Sequence, residues 1–286
     1  MRILGLGDNF IDKFVDRRVY YPGGNAVNVA VFARQLGAEA AYLGVFGDDD
    51  LADHLRATLT EEGVSYDRSV TRHGETGWAE VEVIDGDRTF LGWNEGGVAL
   101  AEPYVFDEET AEWAAERFDI VHSGVYAGTA DELVKLAGRG PLLTFDFSEE
   151  AEGRTDEQLD RLCPHLDLAL FSGAEGDDEA LVATLRRAVV RGTRLALGTL
   201  GAQGSILWDG ERLVRQQAYD PGGPAVDTMG CGDSFVAAFL VHAHAAGWSH
   251  DRLPAPGDLG KALLAASQFA ALQTRTEGAF RHGRSY

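Results

Sequence analysis

The sequence predicts an α/β fold: a three-layer α/β/α domain with a mainly parallel central sheet and a small β-element in its N-terminal half. Two patterns support this prediction. After about residue 104, short apolar segments alternate with amphipathic helical segments, which is typical of buried parallel strands covered on both faces. Before that point, alternating polar and apolar residues flank an Asp-Gly pair, which predicts a hairpin. The 286 residues are enough for a single domain of residues 1–286.

The first predicted elements are a strand, a helix and a second strand. An apolar strand over Arg2–Gly7 opens the chain, and a helical pattern follows from about Ala26 to Leu36. The apolar residues of this helix recur at helical spacing, and Gly37 stands where a helix is expected to stop. Ala40–Val45 is the second apolar strand.

A β-hairpin is predicted within residues 76–95. Trp78–Ile84 alternates polar with apolar residues, Asp85-Gly86 turns the chain, and Arg88–Trp93 returns. Because three aromatic residues belong to this hairpin, we expect one of its faces to contact a core, a bound ligand or a second subunit.

The second half of the chain alternates helices with strands and ends in two long helices. The predicted strands are Ile120–His122, Leu142–Phe147, Leu168–Phe171, Leu195–Thr199 and a hairpin of Ser205–Trp208 with Arg212–Arg215. The predicted helices are Asp107–Arg117, Asp178–Arg191, about Gly232–Ala246 and about Leu259–Leu272.

The amino-acid composition argues against several classes of binding partner. The net charge of −21 and the pI of about 4.6 argue against nucleic acid and anionic membranes, which such a chain repels. Two cysteines, Cys163 and Cys231, are too few for a disulfide framework or a cysteine zinc site. The chain shows no signal-peptide pattern and no apolar run of membrane-spanning length, so we expect a soluble cytoplasmic protein.

The most informative stretch is Asp-Thr-Met-Gly-Cys-Gly-Asp at residues 227–233. It lies directly before a predicted helix, whose first backbone N–H groups lack internal partners and carry partial positive charge. Two glycines allow a ligand to approach those groups closely, which favours a phosphate site. Asp233 would repel a phosphate, so its placement there suggests a general base acting on an attacking hydroxyl. The alternative is an ordinary helix start with an acidic first turn.

This stretch resembles the C-terminal signature of the PfkB, or ribokinase-like, carbohydrate kinases. The resemblance implies a ribokinase-like fold, with a small β-sheet lid, and an ATP-dependent phosphotransferase that acts on a sugar hydroxyl. It makes Asp233 the catalytic base and assigns the backbone N–H groups of Gly230, Cys231 and Gly232 to the anion hole. The family usually carries Ala at the position of Cys231, and Cys is small enough to leave such a hole intact.

A second stretch, Gly-Gly-Asn-Ala-Val-Asn from residue 23, resembles the family's sugar-binding signature. The resemblance implies that Gly24 and Asn28 contact the substrate, and asparagine can both donate to and accept from sugar hydroxyls. Asp8 and Asp12 follow the first strand, where the family holds sugar hydroxyls with an acid. The alternatives are a glycine-rich turn with Asn25 as a helix cap, and a loop with charged caps.

The resemblance also implies contacts with ATP. The segment Thr-Leu-Gly-Ala-Gln-Gly that begins at Thr199 is similar to the family's nucleotide loop, in which Thr199, Gly201 and Gly204 would lie along ATP. Thr228 and Ser267 are further candidates on the nucleotide side. Taken alone, this segment is a common strand-to-turn pattern.

Mg²⁺ is an implied cofactor, and a monovalent cation such as K⁺ is a further candidate. The family commonly carries N-x-x-E, which orders the water network of the metal, whereas this chain has Ser172-Gly173-Ala174-Glu175. Glu175 is therefore a candidate for a water-mediated metal contact, and Ser172 replaces the amide.

The hairpin at 76–95, with part of 10–22, resembles the β-lid of these kinases, which closes over the sugar and often pairs with a partner's lid. A homodimer is therefore expected. The segment from Gly7 to Asp12, together with residues 227–230, is most similar to the branch that phosphorylates fructosamines such as fructoselysine at O6. Glu80, Glu82 and Glu95 are candidates for binding an ammonium group of such a substrate, and the alternative is simple solvent-facing charge. Fructose, ribose, 2-keto-3-deoxygluconate and nucleosides stay open.

Other classes of protein are weighed against the kinase. A nicotinamide-dependent dehydrogenase would need G-x-G-x-x-G after the first strand, and the segment from Gly5 to Phe10 lacks the third glycine. A catalytically silent sugar-binding protein of the same fold is disfavoured because Asp233 is present. A P-loop kinase is excluded, since G-x-x-x-x-G-K-[ST] does not occur.

Overall fold

A computed structural model of the chain describes residues 1–84, 87–173, 176 and 178–286, which contain fourteen strands in two sheets and nine α-helices. The strands are β1 Arg2–Gly7, β2 Phe10–Phe14, β3 Val19–Gly23, β4 Glu39–Phe46, β5 Val70–Thr71, β6 Trp78–Ile84, β7 Asp87–Trp93, β8 Ile120–Gly124, β9 Leu142–Asp146, β10 Leu168–Ser172, β11 Leu195–Thr199, β12 Ser205–Trp208, β13 Leu213–Gln216 and β14 Arg284–Ser285. The helices are α1 Asn25–Gln35, α2 Asp50–Glu62, α3 Gly97–Ala101, α4 Glu108–Arg117, α5 Ala130–Val134, α6 Asp156–Leu162, α7 Asp178–Val190, α8 Cys231–Ala245 and α9 Pro256–Gln273. The predicted turn at Asp85-Gly86 and the metal candidate Glu175 lie outside the described residues.

The large sheet confirms the predicted mainly parallel architecture. Its strand order is β13-β12-β11-β10-β9-β8-β1-β4-β5, and every pair from β11 to β5 is parallel. Only β12 and β13 join in antiparallel fashion among the described strands of this sheet. The carboxyl ends of β1, β8 and β9 are therefore neighbours at one edge, where ligands of open α/β sheets bind.

Two hydrophobic cores confirm the three layers. Side chains of α1, α2, α8 and α9 pack on one face of the sheet, and those of α3 to α7 pack on the other. Within β1, Ile3 belongs to the first core and its neighbour Leu4 to the second, because successive side chains of a strand point to opposite faces. Such two-sided burial explains why these strands are nearly continuous apolar runs.

The small sheet has the order β14-β3-β2-β6-β7, with β6 and β7 forming the hairpin seen in the sequence pattern. Asp12 on β2, Ala79 on β6 and Trp93 on β7 are register partners in one row, so their side chains share a face. Phe14, on the same face, belongs to a small core that Met229 contacts from the loop before α8. This face of the small sheet, here called the inner face, therefore lies towards the start of α8.

No α-helix in the described ranges combines the length and apolar character needed to cross a membrane.

Candidate active site

Four chain segments bring polar side chains together at the carboxyl edge of the large sheet. Asp8 follows β1, Asn25 and Asn28 lie in the first turns of α1, Asp146 ends β9, and Asp233 lies in the first turn of α8. Only the strand order of the sheet makes these segments neighbours, because they are far apart in the chain; Asn25 and Asp233, for example, are separated by 208 residues.

Asp233 lies between two side-chain amides. Asn25 Nδ2 donates to its Oδ1 at 2.7 Å, and Asn28 Nδ2 donates to its Oδ2 at 2.6 Å. Each carboxylate oxygen keeps a second lone pair, so Asp233 can still accept a hydrogen bond from a substrate hydroxyl. Asn28 Oδ1 is buried and has no hydrogen-bond partner among the described residues. A buried carbonyl oxygen without a donor is costly, so Asn28 offers a ready acceptor for a ligand hydroxyl.

The carboxyl of Asp233 is tuned towards neutral pH. Burial raises its pKa to about 7, the amides of Asn28 and Asn25 oppose this rise, and the nearby Asp146 and Asp8 add to it. Burial also raises the pKa of Asp146 and that of Asp8. A carboxyl with a pKa near the working pH is well suited to accept and release a proton.

Asp8 caps α1. Its Oδ2 accepts the backbone N–H of Asn25 at 2.6 Å, and its Oδ1 accepts that of Ala26 at 3.1 Å. The alternative of Asn25 as the cap is therefore wrong: Gly24 occupies the cap position, and Asn25 is the first helical residue. This leaves the side chain of Asn25 available to Asp233.

The two glycines before α1 are required by close contacts. A Cβ on Gly24, which has a φ of 105°, would lie 2.8 Å from Cα of Asn9. A Cβ on Gly23 would lie 3.2 Å from Asp12 Oδ2 and 3.7 Å from Asn28 Oδ1. Gly23 thus lets the buried carboxylate of Asp12 approach the amide that holds Asp233, and the candidates Asp12 and Asn28 share one region.

The glycine-rich turn before α8 is held by Asp227, whose carboxylate accepts the backbone N–H groups of Met229 at 3.0 Å and Gly278 at 3.1 Å. Gly230 has a φ of 70° at the cap position. The backbone N–H of Cys231 donates to Thr228 at 3.3 Å, a long bond within the turn, and the thiol of Cys231 faces the carbonyl of Ala270 on α9. The anion hole stays a prediction.

The segment predicted to contact the nucleotide follows β11. Thr199 ends that strand beside Ser172, and Gly201 begins a short turn. Gly204 has a φ of 98°, and a Cβ there would lie 2.0 Å from the carbonyl oxygen of Gln216. Packing alone therefore explains Gly204, whereas a Cβ on Gly201 would meet no described atom within 4 Å.

The remaining nucleotide candidates lie near the start of α8. Thr228 is exposed in the turn. Ser267 is buried on α9, where its hydroxyl accepts the backbone N–H of Tyr219 at 2.7 Å and donates to the carbonyl of Gln217 at 3.3 Å. The hydroxyl of Ser267 thus orders the segment after β13.

Two of the glutamate candidates for substrate binding, Glu80 and Glu95, do not lie together on the inner face of the small sheet. Glu80 follows Ala79 on β6, so it points to the face opposite Asp12, where it is the register partner of Lys13. Glu95 is exposed in the turn after β7 and has a φ of 55°. Trp93, by contrast, shares the inner face with Asp12 and is 56% exposed.

Three site residues were not found from the sequence pattern: Asn25 in its observed role, His122 and Asp146. His122 Nε2 lies 3.0 Å from Asn25 Oδ1, and Asn25 Nδ2 lies 3.2 Å from Asp146 Oδ2. The only signal for the last two was a polar residue at or near the carboxyl end of a short apolar strand.

In the part of the chain that the structure describes, no three potential metal-ligating side chains are grouped so that they could hold an ion. A Mg²⁺ that enters with nucleotide phosphates keeps several waters and needs few protein ligands. The described side chains therefore supply no cage of their own for the metal.

Comparisons with known proteins identify relatives. The family model described as pfkB family carbohydrate kinase matches residues 12–281. The chain is 35% identical to fructosamine kinase FrlD of Bacillus subtilis (strain 168), with 100% of this chain and 95% of that protein covered. It is 38% identical to fructoselysine 6-kinase of Escherichia coli (strain K12), over 85% of this chain and 88% of that protein. Fructokinase with bound ATP from Xylella fastidiosa shares the fold, with a TM-score of 0.80, 20% identity and coverage of 98% and 94%.

Proposed function

The chain belongs to the pfkB family of carbohydrate kinases, and we propose that it transfers the γ-phosphoryl group of ATP to O6 of a fructosamine such as fructoselysine. The placement of Asp233 carries this proposal: its carboxyl lies between two amides, in the first turn of α8 and beside a glycine-rich turn. Relatives named as fructosamine and fructoselysine kinases, at 35% and 38% identity, support the choice of substrate.

In the proposed reaction, Asp233 accepts the proton of the O6 hydroxyl as O6 attacks the γ-phosphorus. The bond from O6 to phosphorus forms, the bond from the γ-phosphorus to the bridging oxygen breaks, and ADP leaves with that electron pair. The positive end of α8, with the N–H groups of Gly230, Cys231 and Gly232, would stabilise charge on the transferred group. Mg²⁺, when bound to the phosphates, would neutralise part of their charge.

The sugar would be held by groups that face Asp233. Asn28 Oδ1 needs a donor, and the carboxylate of Asp12 lies in the same region across Gly23. Asp8, although it caps α1, keeps unused lone pairs for a sugar hydroxyl. Carboxylate and amide oxygens can each accept from a hydroxyl, so this set suits a polyhydroxylated substrate.

The inner face of the small sheet supports a substrate larger than a free sugar. Trp93 is the outermost residue of the row that begins at Asp12, and a half-exposed indole beside a sugar site offers an apolar wall. An alkylamine substituent could lie against this wall, because aromatic faces attract both methylene groups and cations. Glu95, two residues further along, would add negative charge for the ammonium group.

The test is a panel of acceptors assayed for ATP consumption with Mg²⁺, containing fructoselysine, fructose, ribose, 2-keto-3-deoxygluconate and nucleosides. We expect the highest kcat/KM with fructoselysine, and a product whose ³¹P–¹³C coupling places the phosphate on C6. Phosphorylation of ribose or a nucleoside without turnover of fructoselysine would refute the narrower proposal while leaving a sugar kinase. Turnover in the absence of Asp233 would refute the proposed base.

Further parts of the proposal concern cofactors and assembly. Thr199, Gly201, Gly204, Thr228 and Ser267 would line the ATP side, and replacing Mg²⁺ or K⁺ in the assay measures the need for each ion. A homodimer through the small sheet and a cytoplasmic location also stay predictions. Sedimentation of the purified chain measures the first of these, since a monomer at assay concentration would contradict it.

A further inference from the structure

His122 is a fully buried histidine whose two ring nitrogens both have partners. Nδ1 lies 2.8 Å from the hydroxyl of Thr144 on β9, and Nε2 lies 3.0 Å from Asn25 Oδ1. The side chain is 0% exposed on β8, and burial lowers its pKa to about 3. The ring is therefore neutral near pH 7, with one nitrogen that donates and one that accepts.

The neighbours of Asn25 decide which nitrogen donates. Its Nδ2 lies 2.7 Å from Asp233 and 3.2 Å from Asp146. In the ionised state in which Asp233 can act as a base, these carboxylates only accept hydrogen bonds. The amide of Asn25 must therefore direct its NH₂ group to the carboxylates and its oxygen to His122. An oxygen can only accept, so Nε2 of His122 must carry the proton.

The hydroxyl of Thr144 completes this assignment from the other side of the ring. It is 2.8 Å from His122 Nδ1 but 3.5 Å from the carbonyl oxygen of Val121, so the ring nitrogen is the better acceptor. Thr144 then donates to Nδ1, which leaves the proton on Nε2. Both ends of the imidazole select the same tautomer.

We propose that His122 is a positioning residue for the base: its Nε2–H, fixed by Thr144, holds the amide of Asn25 so that Nδ2 faces Asp233 and Asp146. This inference rests on the proposed role of Asp233. Without the donor on His122, the amide of Asn25 can turn over and present its oxygen to two carboxylates, which repels them. Asp233 then loses one of its two amide donors.

Loss of that donor has a defined consequence for proton transfer. A hydrogen bond to the charged form of a carboxyl lowers its pKa, so its removal raises the pKa of Asp233 further. Among the described residues, Asp146 and Asp8 raise the pKa of Asp233, Arg154 faces Asp146, and the carboxylate of Asp12 lies across Gly23 in the same region. A substitution at His122 or Thr144 replaces none of these groups, but Asp146 also loses its hydrogen bond from Asn25 Nδ2, which raises its pKa in the same direction.

The kinetic test uses His122→Phe and Thr144→Val, with Thr144→Ser as the conservative variant. His122→Phe keeps a ring of similar size, and we expect kcat to fall about 10–100-fold, as for one or two lost hydrogen bonds. The acid limb of the kcat/KM profile should move to higher pH. Thr144→Val should lower kcat about tenfold, and Thr144→Ser should restore it.

A matched control is Ser123→Ala. Ser123 is also 0% exposed on β8, and its hydroxyl bonds Thr129 at 2.9 Å on the side away from Asn25. This variant removes an equally buried hydrogen bond and should leave kcat and the acid limb unchanged. If the folded His122→Phe and Thr144→Val variants match it in both, or lower only Tm, His122 has no positioning role.

A second measurement does not depend on turnover. The ¹⁵N spectrum of histidine, assigned with His122→Phe as the difference sample, should show His122 protonated at Nε2 and free of titration from pH 5 to 9. Protonation at Nδ1, or an imidazolium at pH 7, would overturn the inference. If instead no acceptor of the panel is phosphorylated, the proposed function fails, and the tautomer still decides whether His122 fixes Asn25.

Discussion

Gly124 leaves the space that the side chain of Asn25 occupies: a Cβ at position 124 would lie 2.8 Å from Asn25 Oδ1. This contact ties the end of β8 to the residue that holds Asp233. Because the atom that would be displaced belongs to a side-chain end and not to the backbone, the fold can accommodate a methyl group there. The hydrogen bonds around Asp233 cannot accommodate that methyl group unless the side chain of Asn25 moves.

Gly124→Ala should therefore lower activity more than stability. The added methyl group pushes the amide of Asn25 away from Asp233, and loss of one hydrogen bond to the base predicts a fall in kcat of about tenfold. Tm should change by only a few degrees. Gly257→Ala is the control, since a Cβ there meets no described atom within 4 Å, and it should keep wild-type kcat. An unchanged kcat in Gly124→Ala would contradict the link.

Replacing the base gives the largest predicted loss. Asp233→Asn removes proton acceptance but keeps the size of the side chain, so kcat should fall about 10²–10⁴-fold with little change in sugar KM. In the wild type, kcat/KM should fall as the pH drops below the Asp233 pKa of about 7, because the protonated carboxyl cannot accept a proton. Asp251→Asn, at an exposed turn residue, is the matched control.

The same substitution predicts a gain in stability that depends on pH. The folded pKa of Asp233 is raised from 3.8 to about 7, so ionisation above the unfolded value opposes folding. The penalty is absent below pH 3.8, grows as pH rises to about 7, and is constant above it. Asp233→Asn should thus raise Tm relative to wild type at pH 8, and the difference should shrink at pH 5. An equal difference at both pH values would exclude this origin.

The sequence predicted the fold well because burial on both faces of the sheet imposes long apolar runs that can be recognised locally. The predicted strand over Arg2–Gly7 has the same bounds in the structure. Helix α2, in contrast, was not predicted, although Asp49 caps it through the backbone N–H of Ala52 and Gly63 ends it with a φ of 71°. Its cap signals were present, but its apolar face is narrow. The two-residue strand β14 has no local signal at all.

Only those residues of the candidate site that belong to a recognisable motif were predicted from the sequence. Asp233 and Asn28 were found through motifs, and they lie within hydrogen-bonding distance of each other. His122 and Asp146 were missed because a strand pattern treats a polar end residue as part of the strand. His122 and Asp146 lie close to Asn25 because β8 is between β1 and β9. Strand order is a property of the whole sheet, so no local pattern predicts it.

Trp93 gives a test of the substrate side. If the indole forms a wall for the alkylamine substituent, Trp93→Ala should lower kcat/KM for fructoselysine about tenfold and leave that for fructose nearly unchanged. Leu91→Ala is the control, because Leu91 is also on β7 and is 51% exposed. Leu91 lies at the register irregularity of this strand and does not belong to the row of Asp12, Ala79 and Trp93. Equal losses for both acceptors in Trp93→Ala would assign the residue to closing of the site in general.

Substitutions at Gly230, in the turn before α8, and at Gly232, in the first turn of that helix, distinguish backbone strain from ligand access. Gly230 has a φ of 70°, and its Cβ would lie 2.7 Å from Cβ of Ala279, so Gly230→Ala should destabilise the fold by at least about 1–2 kcal/mol. A Cβ on Gly232 would meet no described atom within 4 Å, so Gly232→Ala should keep Tm. If phosphate binds there, Gly232→Ala should still raise the KM for ATP or lower kcat. A folded Gly232→Ala enzyme with wild-type kinetics would place the phosphate elsewhere.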